Sequence, residues 1–252
     1  MKMKVAGIIP ARYKSTRFPG KPLADLCGKP MIWWVYHQVK KIKAFDEIYV
    51  ATDDERIEAV CKEHNMNVVM TSESHRTGTD RIGEAAEKIK ADVYVNIQGD
   101  EPLVEPETIK TAVRALAEKP EIEVVNLMTK IKEATEINNP TIVKVVTAND
   151  GRGIFLSRSP IPYPKIGVDI DYYKHIGIYA LRAEALKFFC SAPVGKIEAI
   201  EEIEMLRFIE NGKHIHFVEV GSNTVAVDTP KDLIKVRRLL KNKIMERQFE
   251  NE

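Results

Sequence analysis

The sequence predicts an α/β fold with a mostly parallel sheet and helices on both of its faces. Short β-rich apolar runs alternate with helical patterns through the first half of the chain, which is typical of β-α-β units. Hydrophobic residues make up 44% of the 252 residues, enough for a large core. No stretch is long enough to serve as a linker, so we predict one domain over residues 1–252.

The predicted elements of the first half follow one another in regular order. The predicted strands are Val5–Ile9, Glu47–Ala51, Asn67–Met70, Val93–Ile97 and Val124–Leu127. The predicted helices that connect them are Met31–Ile42, Asp54–His64, Thr79–Lys88 and Pro106–Glu118. A helix between consecutive strands makes those strands parallel, which gives the predicted sheet.

The pattern changes after residue 140. "TIVKVVTANDGRGIFLS", Thr141–Ser157, predicts two strands around a turn, and a further strand at His175–Leu181 follows a proline-rich stretch. We therefore predict a mostly antiparallel insertion at about 141–181, which could serve as a lid or a dimer contact through apolar residues such as Ile161, Tyr163 and Ile166. The last third predicts a helix around Ile197–Glu210, a strand at His214–Val220 and a helix from Pro230 to about Arg247.

Composition argues against several classes of function. The formal net charge is +1, which argues against general nucleic-acid binding. Cys27, Cys61 and Cys190 are widely spaced, so we expect reduced, mostly buried thiols in a cytoplasmic protein and no zinc site. The N-terminal apolar run is short and is interrupted by Arg12, so it predicts neither a signal peptide nor a membrane span.

A cation-rich loop follows the first predicted strand. "PARYKSTRFPGKPL", Pro10–Leu23, contains Arg12, Lys14, Arg17 and Lys21 but no acid, so we expect these cations to lack partners in the protein. In a parallel sheet the loop lies at the carboxyl edge, where ligands bind. The stretch has no G-x-G-x-x-G and no complete Walker loop, so side chains would hold the phosphates of a ligand. The alternative is a solvated basic loop.

Two acidic motifs follow strand-like runs, where their carboxylates could bind a metal ion near the basic loop. "VNIQGDEP" places Asp100 after a predicted strand, at the same edge as the basic loop, and "AVDTPKDL" places Asp228 after the strand-like run "NTVAV". Mg²⁺ typically takes one or two carboxylates plus phosphate oxygens, so the two acids suggest a magnesium site. The alternatives are a turn at Asp100 and, at Asp228, an acid at the start of a helix.

Two further polar clusters could have either a binding role or a structural role. "MTSESHRTGTDR", Met70–Arg81, could hydrogen-bond a base and ribose, or could cap the following helix at Thr79. "YKHIGIYALR", Tyr173–Arg182, places His175 at the start of an apolar strand, where a lone histidine is more often structural than a ligand.

Taken together, these stretches resemble the 3-deoxy-D-manno-octulosonate (Kdo) cytidylyltransferases. The resemblance covers nearly the whole chain, includes "ATDDERI" and "LSRSPIPYP", and looks nearest to the capsule-type enzymes. It implies a Rossmann-like nucleotidyltransferase fold and the conversion of CTP and Kdo to CMP-Kdo and diphosphate, with Mg²⁺ as cofactor. It also implies a homodimer, and a role in lipopolysaccharide or capsule biosynthesis.

The resemblance assigns residues to roles by position. The CTP triphosphate would be held by Arg12, Ser15, Thr16, Arg17 and Lys21. Recognition of the cytidine would involve Thr79, Asp80 and Arg81. The sugar acid would be contacted by Gln98, Arg158, His175 and Glu204. Magnesium would be carried by Asp100 and Asp228, and these two acids with Arg12 and Lys21 would be the catalytic residues.

Two positions depart from the family's pattern. Lys14 stands where the family usually has glycine, and Met205 where it has a glutamine that contacts the sugar. The methionine predicts a broader substrate range, so an amino variant of Kdo is an alternative substrate. A nucleotide-binding protein without catalysis is a second alternative, against which the retention of Asp100 and Asp228 argues. A sugar-1-phosphate nucleotidyltransferase is a third, but its glycine-rich opening is absent.

Overall fold

The computed structural model describes residues 3–165, 167, 169–221 and 225–249. Its strands are β1 Val5–Ala11, β2 Asp25–Leu26, β3 Lys29–Pro30, β4 Glu47–Thr52, β5 Val68–Met70, β6 Val93–Ile97, β7 Val124–Lys130, β8 Lys144–Thr147, β9 Gly153–Ser157, β10 Tyr173–Arg182 and β11 His216–Glu219. Its α-helices are α1 Met31–Lys40, α2 Glu55–Glu63, α3 Gly78–Lys88, α4 Pro106–Glu118, α5 Ala134–Ile137, α6 Ala183–Ser191, α7 Lys196–Glu201, α8 Leu206–Glu210 and α9 Pro230–Phe249.

A central sheet with strand order β11-β7-β10-β6-β1-β4-β5 organises the chain. β10 runs antiparallel to both of its neighbours in this row, and the other neighbouring pairs are parallel. The hairpin of β8 and β9 extends the sheet, because β8 pairs with the start of β10. The prediction of a mostly parallel sheet with an antiparallel part is confirmed.

Helices cover both faces of the sheet because each presents an apolar stripe at helical spacing. α1, α2 and α4 bury residues such as Ile32, Ile57 and Ile109 on one face. α3, α6 and α8 do the same on the other face. A third apolar cluster joins α9 to the short β2–β3 hairpin and the start of α1. That packing brings the segment before α9 next to the basic loop.

Most predicted bounds differ from the structure by a few residues, but four expectations need correction. β10, which was expected to belong to the antiparallel insertion, is antiparallel but lies in the centre of the main sheet, and its side chains are buried on both faces. The helix expected over Ile197–Glu210 breaks into α7 and α8 around Glu202, whose φ of 51° is left-handed. Val225–Val227 is not a strand, Asn223 and Thr224 lie outside the described residues, and the helix α6 was not predicted.

The cysteines are less buried than expected. Cys61 is buried, Cys27 is half-buried and Cys190 is exposed at the end of α6, and all three are free thiols. Among the described residues, no helix combines the length and the apolar character needed to span a bilayer.

Candidate active site

A cavity of about 1040 Å³ opens at the carboxyl edge of the sheet. Its lining includes the four residues predicted for the sugar acid together with two residues of the predicted phosphate and metal sites: Gln98, Arg158, His175, Glu204, Arg17 and Asp100. These side chains come from segments far apart in the chain. The sheet brings them together because the loops after β1 and β6, which are neighbouring parallel strands, emerge at the same edge.

The basic loop meets two carboxylates at the rim of this cavity. Nζ of Lys21 lies 2.6 Å from Oδ2 of Asp100 and 3.5 Å from Oδ1 of Asp228, and Nη2 of Arg17 lies 3.1 Å from the same Asp228 oxygen. The backbone amide of Val227 donates to the carbonyl of Asp100, which joins the two acidic segments. Asp100 and Asp228 are therefore neighbours in the fold, as the prediction of a shared site requires.

The expectation that the loop cations lack partners is wrong for three of the four. Arg17 and Lys21 contact the two aspartates, and Lys14 contacts Glu73 at 2.7 Å. The loop itself contains no acid, but carboxylates from distant segments fold against it. The Lys14 pair is exposed, and such pairs contribute little to stability. Lys21 is well shielded from solvent, so its contacts are the stronger ones.

Arg12 is the fourth cation of the loop and is partly buried. Its Nη2 atom is buried and has no hydrogen-bond partner within the described part of the chain. Burial, and then the nearby charge of Arg81, lower the pKa of the Arg12 guanidinium. A buried donor without a partner is costly, so this side chain is suited to an anionic ligand. Of the two hydroxyl residues, Ser15 accepts from the amide of Phe18 and Thr16 is exposed.

The structural alternative treats Asp228 only as a negative charge at the start of helix α9. Thr229 and Asp232 cap that helix: Oδ2 of Asp232 accepts from the backbone amides of Asp228 and Thr229 and from the Thr229 hydroxyl, and the amide of Asp232 donates to the Thr229 hydroxyl. The Asp228 carboxylate is left to face Arg17 and Lys21. Together with Asp100 it offers two oxygen ligands within reach of one cation. Among the described residues there is no group of three potential metal ligands, but Mg²⁺ needs only one or two carboxylates when phosphates supply further oxygens.

The segment before α3 is held by an internal network. Thr77, and not Thr79, is the N-cap, and it forms a capping box with Asp80. Arg81 is fully buried and pairs with Asp53 at 2.9 Å. Asp80 and Arg81 thus have partners inside the protein, and their contacts with cytidine remain a prediction. The amide of Thr79 donates to Glu204, which ties the start of α3 to the cavity wall.

Arg207 connects three elements behind that wall. Its guanidinium is buried, contacts both carboxylate oxygens of Glu198 and lies 3.0 Å from Oδ1 of Asp80. It also packs on the ring of Phe189. Neither Arg207 nor Glu198 was predicted as a site residue, although an arginine inside the apolar run "MLRFI" is a signal for a buried ion pair. The network fixes α7 and α8, and thereby Glu204, against α3.

The side chains expected to meet the sugar acid have distinct electrostatic states. Burial, and then the positive charge of Arg158, lower the pKa of His175 to about 4, so the imidazole is neutral at pH 7. Burial raises the pKa of Glu204. Arg158 donates to the carbonyls of Glu201, Pro140 and Glu202, which fixes its guanidinium and leaves further N–H groups for a ligand.

Met205 does not belong to this site. Its side chain is fully buried in the apolar cluster that includes Leu206 and Phe208, whereas its neighbours Ile203 and Glu204 line the cavity. The inference of a broader substrate range from Met205 therefore loses its physical basis, because methionine at this position fills the core and does not face a sugar hydroxyl.

A parallel α/β sheet that carries a cationic loop after its first strand and paired carboxylates at the same edge defines a nucleotide-dependent transferase. The profile of the family described as "Cytidylyltransferase" matches residues 6–215. The 3-deoxy-manno-octulosonate cytidylyltransferase of Geobacter sulfurreducens is 42% identical over 250 residues, covering 95% of this chain and all of that protein. The enzyme of the same name from Escherichia coli is 40% identical over 96% of this chain and 98% of its own.

A solved structure agrees with these relatives. CMP:2-keto-3-deoxy-manno-octonic acid synthetase complexed with CTP superposes with a TM-score of 0.91 at 40% identity, covering 95% of this chain and 99% of that one. The chain therefore belongs to the cytidylyltransferase family, and within it to the 3-deoxy-manno-octulosonate cytidylyltransferases.

Proposed function

We propose that this protein transfers the cytidylyl group of CTP to Kdo and releases diphosphate. The observation that carries the proposal is the arrangement of Lys21 between Asp100 and Asp228 at the rim of a cavity lined by the predicted sugar-acid residues. The relatives named above, which share about 40% identity over nearly the whole chain, support the same activity.

The chain's own residues supply positive charge where the triphosphate would lie. Arg12 has an unsatisfied buried donor, and Arg17 and Lys21 can exchange their aspartate partners for phosphate oxygens. Magnesium bound at Asp100 and Asp228 would add charge at the phosphates and lower the pKa of the attacking hydroxyl. Exchange of partners keeps these cations neutralised both before and after CTP binds.

The reaction needs no covalent intermediate with the protein. The anomeric hydroxyl of the sugar acid attacks the α-phosphorus, the bond from that phosphorus to the leaving diphosphate breaks, and the hydroxyl proton is lost. The protein positions the two substrates and stabilises the charge that moves onto the diphosphate. Arg158 is suited to the sugar carboxylate, while Gln98 and the neutral His175 can hydrogen-bond hydroxyl groups.

The protein is proposed to act as a homodimer in the cytoplasm. Tyr163 is 85% exposed and lies in the proline-rich stretch between β9 and β10, where an aromatic ring is better suited to a partner surface than to water. Ile161 is half-buried in the same stretch, and Ile166 lies outside the described residues. Sedimentation at micromolar concentration should give about twice the chain mass, and a monomer there would contradict the dimer.

A diphosphate-release assay against a panel of sugar acids tests the proposal. Kdo with CTP should support rapid release, and an amino variant of Kdo should be the poorer substrate. A preference for the amino variant would transfer the proposal to that sugar. Tight CTP binding without release on any sugar acid would instead favour a nucleotide-binding protein without catalysis.

A further inference from the structure

The central strand β10 contains an irregularity next to the cavity. Its pairing with β6 is continuous from Arg182 back to Ile178, but its pairing with β7 shifts register between Ile176 and Tyr179. Ile176 lies opposite Leu127 and Tyr179 lies opposite Asn126, so Gly177 and Ile178 have no residue facing them on β7. Bulges of this kind re-aim side chains and are frequent beside active sites.

The side chain of Asn126 replaces the backbone contacts that the bulge removes. Its Nδ2 atom donates to the carbonyl of Ile176 at 2.8 Å and to the carbonyl of Ile178 at 3.0 Å. Asn126 is fully buried, so its amide group donates these hydrogen bonds away from water. One amide group therefore donates to both carbonyls, and a side chain without an N–H would remove both hydrogen bonds.

Gly177, at the apex of the bulge, provides room for Gln98. A Cβ atom at position 177 would lie 2.4 Å from Cγ of Gln98, closer than real Cβ atoms approach another atom, and 3.2 Å from its Cδ. The backbone of Gly177 is not in the left-handed region, so space and not conformation requires glycine here. Both residues line the cavity, and Gln98 follows the last residue of β6.

We propose that Gly177 and Asn126 are positioning residues that seat the Gln98 side chain for the sugar acid. The inference rests on the proposed function, in which Gln98 contacts that substrate. Gly177 leaves the space that the Gln98 side chain occupies next to β10, and Asn126 holds the bulge in which Gly177 lies. Neither residue needs to touch the sugar.

A double-mutant cycle at positions 177 and 98 separates this role from a general structural one. The proteins are the wild type, Gly177→Ala, Gln98→Ala and the double variant. Each is measured for the KM of Kdo at saturating CTP, for CTP affinity by calorimetry, and for urea unfolding without substrate. Gly83→Ala is the matched control, because its Cβ would meet the sulfur of Cys190 away from the cavity.

Gly177→Ala and Gln98→Ala should each raise the KM of Kdo about tenfold, since a net hydrogen bond of about 1.4 kcal/mol corresponds to that factor. The KM of Kdo in the double variant should be no higher than in Gln98→Ala, because without Cγ of Gln98 the new methyl group has no atom to displace. CTP affinity should stay within about twofold throughout, and Gly83→Ala should leave the KM of Kdo unchanged. Asn126→Ala should raise the KM of Kdo as well, and leave CTP affinity unchanged.

An unchanged KM in Gly177→Ala, or penalties that multiply in the double variant, would overturn the inference. An unchanged KM in Gln98→Ala would also overturn the inference, since Gln98 would then not contact the sugar acid. The proposed function would still hold in that case if the wild type turns over Kdo in the presence of CTP. The unfolding data give a reading that needs no substrate. Gly177→Ala should lower the free energy of unfolding of the wild type but not that of Gln98→Ala. An equal decrease in both proteins would contradict the contact between position 177 and Gln98.

Discussion

The ammonium group of Lys21 lies 2.6 Å from the carboxylate of Asp100 in a shielded position at the rim of the cavity. This contact joins the basic loop after β1 to the acidic segment after β6, which are 79 residues apart in sequence. The pair neutralises a site that would otherwise hold unpaired charges before substrates arrive. Because Asp228 contacts the same ammonium group, loss of one partner redistributes charge over the whole cluster.

Asp100→Asn and Asp228→Asn should each nearly abolish turnover while the fold persists, because either change removes one charge from the proposed magnesium ligands. Initial rates across a magnesium titration measure the loss of turnover, and a thermal melt shows whether the fold persists. Asp92→Asn is the control: its carboxylate accepts from the backbone amide of Lys4 at the end of β6 opposite to Asp100, so this variant should preserve turnover. Full activity of either ligand variant at ordinary magnesium would exclude the assigned role.

Lys21→Ala and Arg17→Ala should weaken CTP binding by about 1.5–3 kcal/mol, the range for charge-assisted hydrogen bonds. Arg17 is more exposed than Lys21, so its effect should lie near the lower end. Calorimetry with CTP measures both. Lys14→Ala provides the comparison, since its exposed pair with Glu73 is remote from the aspartates and should alter CTP affinity by less than about 0.5 kcal/mol. Unchanged affinity in the first two variants would mean that Arg17 and Lys21 pair with the two aspartates and do not bind phosphate.

His175 should make the protein less stable in acid. Its pKa is about 4 in the folded protein, below the ordinary value of about 6.5 for an unfolded chain, so the unfolded state binds more protons between these values. The contribution to stability is therefore present above about pH 6.5 and is lost as the pH falls towards 4. His175→Asn should flatten the dependence of the unfolding free energy on pH over that window.

The comparison between variants is needed because burial also lowers the pKa values of His37 and His216, which contribute to the wild-type curve. The difference between the two curves gives the contribution of His175 to the dependence of the unfolding free energy on pH. Parallel curves for the wild type and His175→Asn, measured by urea unfolding from pH 4 to pH 7, would contradict the burial of a neutral imidazole at this position.

Met205→Gln should destabilise the protein without changing its choice of sugar. The change buries an amide in an apolar cluster, where an unpaired polar group costs about 1–3 kcal/mol. Met205→Leu, which preserves volume and polarity, should cost less than about 1.5 kcal/mol. The ratio of kcat/KM for Kdo and for an analogue altered at one hydroxyl should be the same in all three proteins. A shift of that ratio towards Kdo in Met205→Gln would show that the side chain reaches the sugar.

Local patterns in the sequence predicted the order of strands and helices and the convergence of Asp100 with the basic loop, because parallel strands place their following loops at one edge. They did not predict that β10 is central. The amino-acid pattern of this strand is compatible with two positions, one between β6 and β7 and one at the edge of the sheet. The loop itself contains no acid, so the pairing of Lys21 with Asp100 was missed as well. Met205 was misassigned because adjacent residues at a helix start can face opposite environments, and only packing decides which one faces the cavity.

Cytidylyl transfer to Kdo is tested by the initial rate of diphosphate release with Kdo and each of the four nucleoside triphosphates. We expect rapid release with CTP and Mg²⁺, slow release with the other three nucleotides, and near-complete loss in Asp100→Asn. A comparable rate with another nucleotide, or no release with CTP and Kdo from folded wild-type protein, would contradict cytidylyl transfer to this sugar acid.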